Sequence, residues 1–233
     1  MKNNWYLYLV YGVTVAAFTI TIHWVSKATS VFVESLPIKR HFSILIDPGH
    51  GGEDGGAISC SGLPESGYNL EISLRLKDLM QFLGYDVRMT RDADISIHQD
   101  GKTIAQKKAS DLKERVRLAN SIENTVLLSI HQNHFPDERY SGAQVFYAGT
   151  TGSNILAKSL QEALIKALSP TSNRQSKKCS GVFLMEHIQC TGVLIECGFL
   201  SNKQEEAKLR DGNYQKQLCS VIATTVSQFL SNA

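Results

Sequence analysis

His50, His131, Glu65 and Glu196 are the residues of this 233-residue chain whose types and settings point to shared chemistry. His50 stands in Asp47-Pro48-Gly49-His50-Gly51-Gly52, His131 in Ser129-Ile130-His131-Gln132-Asn133, and Glu196 in Leu194-Ile195-Glu196-Cys197-Gly198. Each segment finishes a short apolar run. Two imidazoles and one carboxylate around a metal with an open fourth position make a hydrolytic zinc site. Such a metal brings the pKa of a water to about 7. A further carboxylate is then needed to take the proton and pass it to a leaving amine. Glu65, which follows the glycine-rich loop after His50, is the fourth group. Spacing alone leaves open which glutamate is ligand and which is base. The competing reading is a pair of unrelated loop or core histidines, and delivery of both to strand ends opposite a strand-end glutamate argues against it.

Other residues carry weaker signals. His134 makes only a His-x-x-His pair with His131, which is not enough for a ligand. Asn133 suits a supporting hydrogen bond or a loop contact. His187 with Glu186 reads better as a surface pair than as part of a cleft, His98 as a loop residue, and Arg91 as support for the site or a turn cap. The glycines of residues 49–56 match neither G-x-G-x-x-G nor G-x-x-x-x-G-K-[ST], which argues against a nucleotide site.

Groups at strand ends converge only if the strands are parallel, because ligands of open α/β sheets gather outside the carboxyl ends. Residues 43–47 read as a buried strand stopped by Pro48 and Gly49. Residues 70–83 read as a helix closed by Gly84. A strand over 86–90 and an amphipathic helix over 111–122 follow, the latter with Leu112, Val116 and Ala119 on one face and basic residues on the other. Strands over 125–130, 142–147, 181–185 and 192–197, with helices over 153–168 and 214–230, complete the pattern. Alternating strands and helices imply an α/β three-layer sandwich with a mixed, largely parallel central sheet flanked by helices.

The composition is globular, with 42% apolar and 20% charged residues. The net charge of +2 and the lack of a basic run argue against nucleic acid as a partner. Residues 5–25 contain no Asp, Glu, Lys or Arg. A helix of that length spans a hydrocarbon core of about 30 Å, with Trp5, Tyr6, Tyr8 and Trp24 at the interfaces. Residues 1–25 are therefore expected to be an uncleaved membrane anchor in preference to a signal segment, 26–40 a linker, and 41–233 the catalytic domain. This places the catalytic domain outside the cytoplasm, membrane-anchored or secreted. The five cysteines include no C-x-x-C pair and read as free or buried thiols.

The ordered series Ile46-Asp47-Pro48-Gly49-His50-Gly51-Gly52, Glu65 with Asn69-Leu70, Met89-Thr90-Arg91, Leu128-Ser129-Ile130-His131-Gln132-Asn133 and Leu194-Ile195-Glu196-Cys197-Gly198-Phe199-Leu200-Ser201-Asn202 resembles the zinc-dependent N-acetylmuramoyl-L-alanine amidases of the amidase-3 type. The resemblance implies one zinc ion held by His50, Glu65 and His131, with Glu196 as the catalytic carboxylate. It implies peptidoglycan as substrate, cut between N-acetylmuramic acid and L-alanine. Ser141-Gly142-Ala143-Gln144-Val145-Phe146-Tyr147, the Asn173-Arg174 pair and the compact domain resemble the germination-specific branch. That branch removes peptides in spore cortex so that muramic lactam forms. The alternatives are a general wall amidase in turnover or cell separation, a related zinc peptidase, or a silent wall-binding module. The chain departs from the family at Glu186-His187, where a basic residue and Asn are frequent, and at Thr191, where Pro is frequent. These departures bear on substrate preference, and the resemblance leaves room for an accessory protein.

Overall fold

Runs rich in β-branched and leucine side chains form the central strands of a six-stranded sheet. Its strands are β1 (Ser43–Pro48), β2 (Asp86–Met89), β3 (Thr125–Asn133), β4 (Gln144–Tyr147), β5 (Lys177–Lys178) and β6 (Thr191–Phe199), in the order β2-β1-β3-β6-β4-β5. β2, β1, β3 and β6 are parallel, β4 is antiparallel to β6, and β5 runs parallel to β4. The helices are α1 (Glu65–Phe82), α2 (Ile104–Asn120), α3 (Ser153–Leu168), α4 (Phe183–His187), α5 (Lys203–Arg210) and α6 (Gly212–Ser231). This computed structural model describes Tyr11, residues 13–21 and residues 42–232.

Strand side chains alternate between the two faces. Ile44, Ile46, Leu128, Ile130, Val193 and Ile195 pack against Ile72, Leu76 and Met80 of α1, Leu156, Leu160 and Leu164 of α3, and Leu218, Ile222 and Val226 of α6. Leu45, Leu127 and Leu194 face Ala119 of α2 and Leu184 and Met185 of α4 on the other side. Both faces are covered, which is why the central strands read as continuous apolar runs and not as alternation. The expected three-layer, mixed and largely parallel sandwich is the observed one.

Polar residues set the helix ends. Thr103 and Gln106 form a capping box at α2. Asn202 caps α5 through the amides of Gln204 and Glu205, and Asp211 caps α6 through those of Asn213 and Tyr214.

Several sequence expectations are corrected. Residues 181–185, expected as a strand, lead instead into the short helix α4, with Leu184 and Met185 buried in the second core. A brief apolar run fits either period. The outermost strand is Lys177–Lys178, which carries no apolar signal. Glu65, expected in a loop, is the first residue of α1, which starts five residues before the expected helix. α2 likewise starts at Ile104, well before residue 111.

The chain divides into two compact units, Met1–Arg40 and His41–Ala233. In the first, Tyr11 and residues 13–21 are helical, and Thr14, Thr19 and Thr21 return their hydroxyls to helix carbonyls. Among the described residues no helix is long and apolar enough to cross a membrane. The expected anchor at 1–25 and linker at 26–40 lie largely outside the described residues.

Candidate metal centre

The strand register assembles the site. His131 on β3 lies opposite Glu196 on β6, and Glu196 lies opposite Gln144 on β4. His50 stands two residues past the end of β1 and takes a positive φ of 60°. Glu65 enters from the N-terminus of α1, where the helix dipole favours a carboxylate.

Glu65 bridges the two imidazoles. Its Oε1 lies 3.0 Å from His131 Nδ1 and its Oε2 3.3 Å from His50 Nε2. Ala57 N, Gln132 N and Asn69 Nδ2 each donate to the same carboxylate at 3.1 Å. The histidine partners outweigh the cost of burial and hold Glu65 far below the usual carboxylate range. Burial opposes charge on His50, yet the carboxylates of Glu65 and Asp54 raise its pKa above the ordinary value.

One ligand atom from each of His50, Glu65 and His131 lies within 4.8 Å of the others, so the three can hold a metal ion together. Donors at zinc bond lengths of about 2.0–2.1 Å stand roughly 3.3 Å apart around a tetrahedron. The nitrogen–oxygen separations, 3.0 Å to Glu65 Oε1 and 3.3 Å to Glu65 Oε2, lie near that spacing. Asp54 Oδ2 lies 2.9 Å from His50 Nδ1 and 3.0 Å from Lys108 Nζ. A proton held at Nδ1 by Asp54 leaves the Nε2 lone pair free to bind a metal.

Glu196 sits differently. Burial pushes its carboxyl up to about 7, with His131 working against that shift and Glu65 adding to it. Its Oε2 is buried, and among the described residues nothing hydrogen-bonds it. A buried carboxylate oxygen without a partner is costly, and groups so perturbed cluster at functional sites. The other sequence candidates do not join the group. His134 is exposed, His187 Nδ1 bonds Phe183 O of its own helix at 2.8 Å, and His98 Nδ1 bonds Ser96 Oγ at 3.0 Å. Glu186 accepts from Gly181 N, and the Asn133 carbonyl accepts from Leu200 N.

Two buried arginines hold the His50 loop. Arg91 donates from Nε to Pro48 O at 3.0 Å and from Nη2 to Gly49 O at 2.8 Å. Arg115 donates to Pro48 O and His50 O, both at 2.8 Å, and to Asp47 Oδ1 at 2.6 Å. Arg91 thus supports the site, as one of its two expected readings has it. Arg115 and Asp54 were not singled out from sequence. The only local hints are the four-residue spacings Asp111 to Arg115 and His50 to Asp54.

Two glycines make room. A Cβ on Gly49 would run into the His131 ring. Gly56, at φ 71°, would place a Cβ 2.6 Å from Glu65 Oε2 and 2.7 Å from His50 Cδ2. Gly56→Ala is expected to lower metal affinity about ten- to hundredfold by displacing both side chains. A competition titration against a fluorescent zinc chelator measures this, and wild-type affinity would show that the crowding is relieved elsewhere.

Residues 44–228 match the Amidase_3 family, N-acetylmuramoyl-L-alanine amidase. The germination-specific N-acetylmuramoyl-L-alanine amidase of Bacillus subtilis (strain 168) is 39% identical over 199 residues, 84% of this chain and 83% of that protein. The CwlD amidase of Clostridioides difficile, solved in complex with the GerS lipoprotein, superposes with a TM-score of 0.78 at 35% identity, over 82% of this chain and 99% of that one. An N-acetylmuramoyl-L-alanine amidase from Clostridium difficile 630 superposes with a TM-score of 0.70 at 28% identity, over 82% and 97%. With the family matched over most of its length, this chain belongs to the N-acetylmuramoyl-L-alanine amidases.

Proposed function

We propose that the protein is a zinc hydrolase that cuts the amide between the lactyl group of N-acetylmuramic acid and L-alanine in peptidoglycan. His50, Glu65 and His131 hold the metal, and Glu196 is the catalytic carboxylate. The observation that carries this reading is Glu65 bridging both imidazoles while Glu196, in register with His131, keeps a buried oxygen unpaired. Bound zinc supplies Lewis acidity, polarising a carbonyl and acidifying water. Glu196 takes a proton from the attacking water and delivers it to the leaving α-amine. Asp54 fixes the His50 tautomer, and Arg91 and Arg115 hold the backbone that aims it.

The 39% identity to a germination-specific amidase supports a place in spore cortex, where removal of the peptide precedes lactam formation. The likeness to CwlD, solved with a lipoprotein, supports an accessory protein as partner. A stretch without Asp, Glu, Lys or Arg over 5–25 supports an anchored catalytic domain, residues 41–233, outside the cytoplasm.

Digestion of purified peptidoglycan by the full chain is expected to release peptides with a free L-alanine amine, seen by mass spectrometry. Chelation is expected to cut the rate more than about hundredfold, and zinc to restore it. Zinc at about a hundred times its Kd should also stabilise the fold by about 2.7 kcal/mol. Release that ignores chelation, or cuts within the peptide, would overturn the reading. For the cortex role, spores lacking the protein should lose muramic lactam; an unchanged cortex would favour general wall turnover.

A further inference from the structure

A cavity of roughly 880 Å³ opens beside β4 and β5. None of the four site residues lines it, but Gln144 does, and Gln144 is the β4 residue in register with Glu196. One wall of the cavity therefore starts about 4.8 Å from the Glu196 backbone, the spacing of neighbouring strands. Its lining is basic, with Arg139, Arg174, Lys177 and Lys208 against one carboxylate, Glu205. Glu205 is buried and spends its Oε2 on Gly142 N at 2.7 Å.

The four cations differ. Arg139 pairs with Asp137 at 2.7 Å, and Lys208 lies 3.9 Å from Glu205. Among the described residues no carboxylate pairs with Arg174 or Lys177. Arg174 is also held in place. Its Nε donates to Ser141 O at 3.0 Å, its Nη1 reaches Gln144 Oε1 at 3.4 Å, and its guanidinium lies 4.8 Å from the centre of the Phe199 ring. A guanidinium fixed in advance and lacking a counter-ion is suited to a carboxylate, because little ordering entropy is left to lose on binding.

We propose that Arg174 and Lys177 form a subsite for a free carboxylate on the stem peptide beyond the L-alanine. This rests on the amidase reading. The charged groups of the glycan–peptide polymer lie on its peptide, since the muramic carboxyl is consumed in the amide being cut. Two extended residues span about 7 Å, more than the strand spacing that separates Gln144 from Glu196. The subsite makes the enzyme selective for acidic stem peptides and sets the register of the amide.

The test uses two synthetic substrates, an N-acetylmuramoyl-L-alanyl dipeptide with a free C-terminal carboxylate and the same compound as its C-terminal amide. The wild-type full chain is expected to prefer the carboxylate about tenfold or more in kcat/KM, through KM, and less so as salt rises. Arg174→Gln and Lys177→Gln should each shrink that ratio, and together abolish it. Damage to the fold would lower both substrates alike and leave the ratio intact. Titration of the free and amidated product peptides repeats the comparison without turnover. Equal use of both substrates by the wild type, or a preference that survives the double variant, overturns the subsite alone. Failure to cut or bind either compound overturns the amidase reading together with it.

Discussion

Glu196→Gln is expected to lower kcat by about 10² to 10⁴-fold while zinc content stays at the wild-type level. The amide keeps the size and shape of the carboxyl but cannot accept the proton. None of the three metal-capable residues hydrogen-bonds Glu196, so the substitution removes no hydrogen bond that positions them. Inductively coupled plasma measurement of zinc, with single-turnover rates, separates the two effects. Retained turnover would remove Glu196 from the chemistry, and loss of zinc would move it among the ligands. The same residue predicts a pH limb. Without metal its carboxyl sits at about 7 because it is buried. A cation beside it lowers that value, so the acid limb of kcat in the holoenzyme should lie below pH 7. Loss of metal as His50 regains its proton steepens the limb.

Burial of Glu196 also carries a stability consequence. Its folded pKa exceeds its unfolded one, near 4.5, so the folded state binds its proton more tightly. The metal-free fold is unpenalised below that unfolded value and loses stability as pH rises towards 7, by on the order of 3 kcal/mol. Glu196→Gln removes that penalty. In chelator, the variant should therefore match the wild type near pH 4.5 and exceed it at pH 8 in urea unfolding. Active sites commonly hold such groups at the expense of stability.

The parts of this molecule that were legible in sequence are those where burial and chemistry lie next to each other in the chain. β1, β3 and β6 are buried on both faces, so apolar residues dominate them, and His50, His131 and Glu196 stand at or just past their carboxyl-terminal halves. Parallel order then brings those residues together without further information. What was not legible lacks that local mark. α5 is short and mostly polar, with only Leu209, Glu205 and Glu206 buried, and its amphipathic signal is carried by charged side chains. The position of Glu65 as the first residue of α1 depends on Pro64 preceding it and on tertiary contacts such as Gln132 N. Arg115 reads as one more basic residue on the polar side of an amphipathic helix, because its partner Asp47 lies 68 residues away.

That pairing supports the largest expected effect on stability. Arg115→Ala should cost about 3–5 kcal/mol, a large part of the 5–15 kcal/mol typical of a domain. The loss arises less from the attraction removed than from what is left behind. Asp47 is 1% exposed, and among the described residues Arg115 is the one side chain that forms an ion pair with it. Thr90 Oγ1 and Ser129 Oγ, each at 2.7 Å, would still donate to it, but the charge would stand unneutralised. Arg91 cannot replace it. Its guanidinium is committed to the carbonyls of Pro48, Gly49, Ser66 and Ala93, and burial beside Arg115 lowers its own pKa to about 10. In the wild type, Arg115 and the two hydroxyls hold Asp47 below the ordinary carboxylate value despite burial. The stability this contributes is present above the unfolded pKa near 3.8 and is lost as pH falls through the lower folded value. A second variant separates charge from positioning. Asp47→Asn combined with Arg115→Met removes the charges of this pair and should recover part of the unfolding free energy, the rest being withheld because Asp111 loses the Arg115 Nε it pairs with at 2.6 Å. It cannot restore the donor to His50 O, so zinc affinity should remain about ten- to hundredfold below wild type. Guanidinium midpoints and chelator competition on the two variants measure both quantities. Wild-type zinc affinity in the double variant would show that Arg91 alone holds the loop, and that Arg115 serves only to neutralise Asp47.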